Sequence, residues 1–546
     1  MKNAFLIFLA SLALVSCTSV KEPGNLYTPV NYTQEDAVND EIKKIDSIGE
    51  KRPSEALWRS AILHGMSSSF SQTKDVKSHW EEELALKFKE ALEAKNYIAA
   101  LSLYDSLQAV DYKSLSSFSS SSRILRAQIE KSMPVLGLSS GGKKFSEMIN
   151  GTVTVYVDKG IKVEQGRGYA DAMLGSGFFI TKNGYIVTNH HVIADCVDPS
   201  YNGFARLYVL LAEDSETRIP ARVVGYDSVL DLALLKAEVD APYVFNLGSS
   251  SSLEAGDRVF AIGSPLGLDR TITSGIISAT DRELLALTNV FQLDAAVNSG
   301  NSGGPLIDEH GNVRAVVFAG VANYQGLNFA IPVEALRSDL PFLFAGGGRT
   351  HGWFQAFGKT KRLPGAGAKN EGVEIVYCMP GGSAYLAGLV PGDIVVSLDG
   401  EKITSIEDLH ALCLKKSTGT ICRLEALSSS GEKKSALVYL SERPKYPGYD
   451  FYTHDLISSS LLPICGMELV RVSTSDKRAY SIKKILKGSS ADLNGFSEGD
   501  PVELLDVTLD KEKSMMQLTI YAKKRKNGFL DVGVTLVLPL DSNYYL

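Results

Sequence analysis

The chain has 546 residues, 44% apolar and 22% charged, a globular composition too long for one core, so about three to five domains are expected. A formal net charge of -7 is mild over this length and leaves no basic footprint for nucleic acid and no polybasic membrane patch. Setting Cys17 aside leaves five cysteines, an odd number with no Cys-x-x-Cys, which is neither a disulfide scaffold nor a zinc site, and neither a metal nor another cofactor is expected.

Lys2 precedes an apolar run from Ala4 to Val15 that ends Leu14-Val15-Ser16-Cys17. The run is too short for a permanent bilayer span and reads as an export signal over residues 1–17. Its ending resembles the bacterial lipobox, in which Cys17 becomes the lipidated mature N-terminus; an ordinary signal peptide is the other reading. Residues 18–33 then form a tether, which places the protein in the bacterial cell envelope, anchored through lipid on the periplasmic side or at the cell surface. The other cysteines are Cys196, Cys378, Cys413, Cys422 and Cys465; of these Cys413 and Cys422 can pair, with buried free thiols as the alternative.

Residues 34–135 read as helical. Leu84, Phe88 and Leu92 recur every four residues, and after a break at Lys95-Asn96 a second helix carries Ala100, Tyr104 and Leu107. The stretch Ala94 to Leu107 resembles half of a tetratricopeptide repeat, but one unit does not make a solenoid, so a helical hairpin is expected. Ser114 to Ser122 reads as a loop, with Ser122 capping the helix that follows.

From about Asn150 the periodicity changes to that of strands: Thr152 to Val157, Gly177 to Ile180, Tyr185 to Thr188, Ala221 to Val224, Leu232 to Leu235, Arg258 to Ile262, Arg314 to Phe318 and Asn328 to Ile331. No long helix separates them, which predicts antiparallel barrels over residues 150–343 rather than a parallel sheet. Pro332 is expected to open a closing helix, and Gly346-Gly347-Gly348 to be a linker.

The remaining chain contains a repeat. Ser383-Ala384-Tyr385-Leu386-Ala387-Gly388-Leu389-Val390-Pro391-Gly392-Asp393 is echoed 107 residues later from Ser490 to Asp500, and each copy runs into a strand. Two small tandem domains, 350–443 and 450–546, are expected, the second degenerate because Pro501 opens its strand.

Three motifs carry chemistry. Asn298-Ser299-Gly300-Asn301-Ser302-Gly303-Gly304-Pro305-Leu306 sets a hydroxyl in a glycine-rich turn whose N–H groups can converge on an oxyanion. Asn189-His190-His191-Val192-Ile193 follows a strand, and Asp231 leads the apolar strand Leu232 to Leu235. A serine needs a base and a carboxylate to become a nucleophile, and the order His, Asp, Ser is one of the known triad orders. The serine stretch also fits Gly-x-Ser-x-Gly, but a nucleophile elbow launches a helix, and here a turn and a strand follow.

On these stretches, with Gly175-Ser176-Gly177-Phe178 and Thr273-Ser274-Gly275-Ile276, residues 150 to 340 resemble the protease domain of the HtrA (Deg) serine proteases, and the repeat resembles their PDZ domains. The fold this implies is an all-β chymotrypsin-like double barrel, two α+β PDZ-like domains and an α-helical N-terminal domain that the resemblance does not cover. It implies Ser302 as nucleophile, His191 as base (the histidine directly before Val-Ile, with His190 where Asn is usual) and Asp231 as its orienter. Gly300, Asn301 and Ser302 then form the oxyanion hole. The specificity pocket would have Ala296 at its base, six residues before the serine, and be walled by Gly326, Leu327, Asn328, Phe329 and Ala330. With no charge at Ala296, a small or medium aliphatic residue before the cut is expected. In the first PDZ-like domain, Gly372, Val373, Glu374 and Ile375 would add a peptide strand and hold a chain end. The expected function is an ATP-independent envelope endopeptidase that cleaves unfolded or mislocalised proteins, with trimers common in such a family. A non-proteolytic scaffold or chaperone is the alternative.

Overall fold

The computed structural model describes residues 26–137, 144–164, 166–214, 216–263, 271–297, 300–320, 327–363, 369–473, 476, 478–524 and 530–546. The export signal and Cys17 lie outside the described residues. Two compact units divide the fold: one holds Pro29–Lys445 with Ser542–Leu546, the other Tyr446–Asp541.

The first unit begins with five helices rather than a lone hairpin: α1 (Glu35–Gly49), α2 (Pro53–Met66), α3 (Ser71–Glu93), α4 (Tyr97–Ala109) and α5 (Ser122–Ser132). Lys95 takes φ 56°, which ends α3, and the Asn96 side chain accepts the Ala99 N–H at 3.2 Å to start α4. The cap of α5 is Ser121, not Ser122, because Ser122 Oγ instead donates to Asp105 at 2.6 Å. Leu57, Leu84, Phe88 and Leu107 form a core that continues into Ile421 and Tyr439 of the first PDZ-like domain. Trp58 stacks on Tyr439 at 5.7 Å and donates its indole N–H to the Leu437 carbonyl at 2.8 Å. Lys416 sits buried between Asp105 at 3.1 Å and Asp399 at 2.7 Å. The helical layer is therefore docked on that domain by a shared apolar core and a buried ion pair.

Twelve strands follow: β1 (Thr152–Glu164), β2 (Arg167–Phe179), β3 (Tyr185–Thr188), β4 (Arg206–Leu210), β5 (Ile219–Asp227), β6 (Leu232–Ala237), β7 (Arg258–Gly263), β8 (Thr271–Arg282), β9 (Val290–Leu293), β10 (Pro305–Ile307), β11 (Val313–Gly320) and β12 (Asn328–Pro332). The first six run β5-β4-β1-β2-β3-β6 with β6 closing on β5, and the last six close as β10-β11-β12-β9-β8-β7. Closure removes the open edges, and every residue of β6 is buried. Pro332 stands before the closing helix Val333–Ala345 in extended conformation, at the N-cap rather than inside the first turn. The glycine stretch is not a loose linker: Gly346 ends the helix at φ 94°, and Gly347-Gly348 pair in parallel with Gly225-Tyr226 of β5. Gly225 has no alternative there, since a Cβ would meet the Leu343 carbonyl oxygen at 2.3 Å.

The first PDZ-like domain has strands Ala356–Arg362, Asn370–Cys378, Ile394–Leu398, Ile421–Leu427 and Lys433–Tyr439, paired in that order, with the helix Ile406–Cys413 held by a Ser405/Asp408 capping box. Gly372 to Ile375 are corrected by this topology. They lie on an interior strand, where Val373 pairs with Thr360 on one side and Val395 on the other, so no edge remains for a peptide. Cys413 and Cys422 are both free thiols.

In the second unit, helices Pro447–His454 and Ile457–Cys465 precede an antiparallel meander of Met467–Arg471, Ala479–Ile485, Pro501–Leu509, Met515–Lys524 and Leu530–Pro539. Pro501 opens its strand as first residue, where the missing N–H is tolerated. Where the first copy has the helix Ile406–Cys413, this one has only a turn between Leu509 and Met515. Its last five residues, expected within it, belong instead to the first unit.

Candidate active site

The histidine turn comes from β3. Its last residue leads through Asn189 into the helix His190–Val197, whose apolar face buries Val192 and Ile193 and leaves His191 exposed. Gly175 permits this close approach, because a Cβ there would meet Val192 at 2.7 Å. His190 points elsewhere and stacks on Tyr226 at 5.3 Å, and burial lowers its pKa.

Asp231 stands between β5 and β6 at φ 54°, a left-handed backbone that costs a non-glycine residue about 1–2 kcal/mol. Two contacts hold it there. Asn189 Nδ2 donates to the Asp231 carbonyl at 2.8 Å, and the Asp227 carboxylate accepts the N–H groups of Val229 and Leu230 at 2.8 and 3.0 Å. The Asp231 carboxylate then receives His191 twice, from the backbone N–H at 2.8 Å and from Nδ1 at 2.7 Å. Two donors from one residue to one carboxylate fix both the ring orientation and the tautomer with the proton on Nδ1, so Nε2 is free to act as a base.

The serine turn is braced against the same elements. Gly303 has φ 86°, and a Cβ on it would meet the Ser176 carbonyl, Thr188 Oγ1 and the Asn189 N–H within 3.0 Å. Ser176 grips the serine turn at two points: its Oγ donates to the Gly300 carbonyl at 2.6 Å and its N–H to the Ser302 carbonyl at 2.7 Å. Thr188 Oγ1 in turn donates to the Ser176 carbonyl at 2.7 Å. Ser302 Oγ donates to the Phe318 carbonyl at 3.3 Å, and no hydrogen bond joins it to His191. That carbonyl is available because β11 bulges against β12 between Val317 and Ala319. Engaging the imidazole requires the hydroxyl to leave Phe318, a rearrangement usual in sites without substrate. Among the described residues the N–H groups of Gly300 and Ser302 have no partner, and Asn301 between them is buried.

The expected pocket residues separate. Ala296 is exposed, and Asn328 Nδ2 ties the adjacent Ala295 carbonyl at 2.8 Å. Leu327 is half-buried and Phe329 packs on Phe318 at 6.4 Å. Ala330 offers no surface, being fully buried in the second barrel's core with Val259 and Leu306. Asn298, Ser299 and Gly326 lie outside the described residues. The sequence reading missed Ser176 and Asn189 as positioning groups. Both stand inside the motifs quoted above, yet only folding shows what their side chains hold.

A second cluster is built on Asp227, at the start of the turn that carries Asp231. The free oxygen of Asp227 is 2.7 Å from His351 Nε2, with both residues buried. Asp339 and Arg349 pair at 3.5 Å beside it, and Arg349 also donates to the Lys416 carbonyl at 2.8 Å. Burial tends to raise the Asp227 pKa, but His351 and the two turn N–H groups outweigh it and hold the carboxyl below its usual range. Burial and the neighbouring Asp227 push Asp339 well above it.

Two closed β-barrels carrying a serine turn, a carboxylate-clamped histidine and a downstream PDZ-like domain define a trypsin-like serine peptidase. The chain matches the trypsin-like peptidase domain family over residues 175–316, a PDZ domain over 374–426, the TP0546 family PDZ domain over 448–540 and a domain of unknown function over 36–129. A probable periplasmic serine endoprotease DegP-like of Pseudomonas fulva is 33% identical over 358 residues, 62% of this chain and 72% of the relative. Its counterpart in Pseudomonas fluorescens is 33% identical over 356 residues, 61% of this chain and 71% of that one. Among solved structures, the HtrA-type protease AlgW with a decapeptide matches with a TM-score of 0.44 at 27% identity, over 55% of this chain and 97% of that one. The chain belongs to the DegP-like (HtrA) family of serine endoproteases.

Proposed function

We propose that the protein is a periplasmic serine endopeptidase that cleaves unfolded or mislocalised proteins without ATP, held at the membrane by a lipid on Cys17. The observation that carries the catalytic part is the double hydrogen bond from His191 to Asp231, beside a serine turn braced by Ser176. In this reading Ser302 Oγ attacks the scissile carbonyl while His191 Nε2 takes its proton, later returning it to the leaving amine. Asp231 stabilises the imidazolium. The N–H groups of Gly300 and Ser302 receive the oxyanion, each donor worth about 10²–10³ in rate. Ala296 leaves the pocket base uncharged, which supports a preference for a small or medium aliphatic residue before the cut. The names of the relatives support the periplasmic location and endoprotease activity. Assembly into trimers is part of the same proposal.

A fluorophosphonate probe tests the chemistry: it should label the wild-type protein and not Ser302→Ala, and reduced casein should be cut only by the former. Equal cleavage by both proteins would end the proposal. The mass of the mature N-terminus reports the lipid, and mass photometry reports the trimer.

A further inference from the structure

One edge strand of the first PDZ-like sheet is Ala356–Arg362, paired on its inner side with Asn370–Cys378. Residues Ser542–Leu546 occupy that edge. Leu546 N–H donates to the Ala356 carbonyl at 2.9 Å, Phe354 N–H to Leu546 O at 2.8 Å, and Gly358 N–H to the Tyr544 carbonyl at 3.0 Å, with Phe357 opposite Tyr545 in an antiparallel bridge. The loop before the strand, with Gln355 at φ 61°, turns these N–H groups toward the added segment.

The side chains are seated as well as the backbone. Leu546 is 4% exposed and lies in the domain core with Val373, Ile375, Ile406 and Leu409. It lies directly over Gly358, where any Cβ would meet its Cδ1 at 2.6 Å. Tyr545 is buried with its ring 5.7 Å from Phe357, and Tyr544 also packs on that ring at 5.7 Å. Tyr544 Oη donates to Glu283 of the second barrel at 3.1 Å. Burial and that carboxylate push the Tyr544 phenol up to about 12, so it stays a donor at neutral pH.

We propose that Ser542–Leu546 are an intramolecular ligand of the first PDZ-like domain, and that an extended polypeptide of aromatic-aromatic-aliphatic chemistry binds there only by displacing them. Strand addition supplies affinity through the main chain, while the Leu546 and Tyr544 sites set what can replace them. A tethered occupant competes at an effective concentration on the order of millimolar. The inference rests on the strand-adding character of residues 350–443 and not on the cleavage chemistry, so it is tested in the Ser302→Ala protein.

The probe is a fluorescein-labelled Ser-Asn-Tyr-Tyr-Leu peptide, read by anisotropy against the full chain, Leu546→Asp and a chain lacking residues 542–546. For a peptide and a tethered segment of about 10–100 micromolar affinity, both altered chains should bind the peptide about 10–100-fold more tightly than the full chain. Affinities equal within twofold across the three, or no binding to any of them, would overturn the proposal. Amide exchange on the Ser302→Ala chain with residues 542–546 unaltered is independent of how the other variants fold. Saturating peptide should expose the Leu546 amide while Phe354, Gly358 and Ile375 stay protected. Continued protection of Leu546 with peptide bound would equally overturn it.

Discussion

Replacing His351 with phenylalanine removes the ring nitrogen that faces Asp227 across 2.7 Å and leaves a carboxylate with no exposed surface one partner short. Losing a hydrogen bond to a buried charged group costs about 1.5–3 kcal/mol, because the carboxylate stays desolvated. At roughly 2–4 °C per kcal/mol for a domain of 150–250 residues, the transition of the barrels should fall by about 3–12 °C at pH 7 in scanning calorimetry. The pH dependence has a definite sign. Asp227 is held below its ordinary 3.8 in the folded state, so its contribution is present above that value and is lost as pH falls through the lower folded one. The gap between wild type and His351→Phe should therefore narrow below pH 4. Asp227→Asn keeps an acceptor for Val229 and Leu230 but carries no charge, so adding it to His351→Phe should restore part of the loss. The same turn carries Asp231, so kcat should fall in His351→Phe and recover in the double variant. A drop of under 2 °C at pH 7, or a double variant no more stable than the single one, would refute this account of the cluster.

Asp231→Asn should leave the barrels folded and lower kcat about 10⁴-fold, because the amide no longer fixes the proton on Nδ1; circular dichroism with casein turnover measures both. Ala296→Asp should move cleavage toward Lys and Arg, seen by mass spectrometry of casein fragments, if that residue forms the pocket base. Trp58→Ala removes the Tyr439 stack and the bond to Leu437, a loss of about 3–5 kcal/mol. It should release the helical layer to limited proteolysis between Met133 and Phe145 while leaving the second unit's transition in place.

The barrels were legible because closed antiparallel strands need short β-branched runs and turn residues at close intervals, and Thr152 to Val157, Tyr185 to Thr188 and Leu232 to Leu235 supply both. Motif spacing pointed to Ser302, His191 and Asp231 for a similar reason: each stands in a connection beside a strand, where a side chain can leave the sheet without breaking it. Local signals misled where the deciding atom lay far along the chain. Ser122 carries a cap residue's chemistry but is claimed by Asp105, and Gly346-Gly347-Gly348 has a linker's composition but finds an edge on β5.

Residue types and their order along the chain singled out the candidate nucleophile and base and determined the barrel architecture and the repeat, since each depends on short-range periodicity or turn chemistry. Tertiary structure alone decided which groups those residues lean on. Ser176 grips the nucleophile turn, His351 braces Asp227, and Leu546 fills an edge that Gly372 to Ile375 do not possess. Those contacts join atoms more than a hundred residues apart, and no pattern within a local window encodes which distant strand edge or buried carboxylate a side chain will reach.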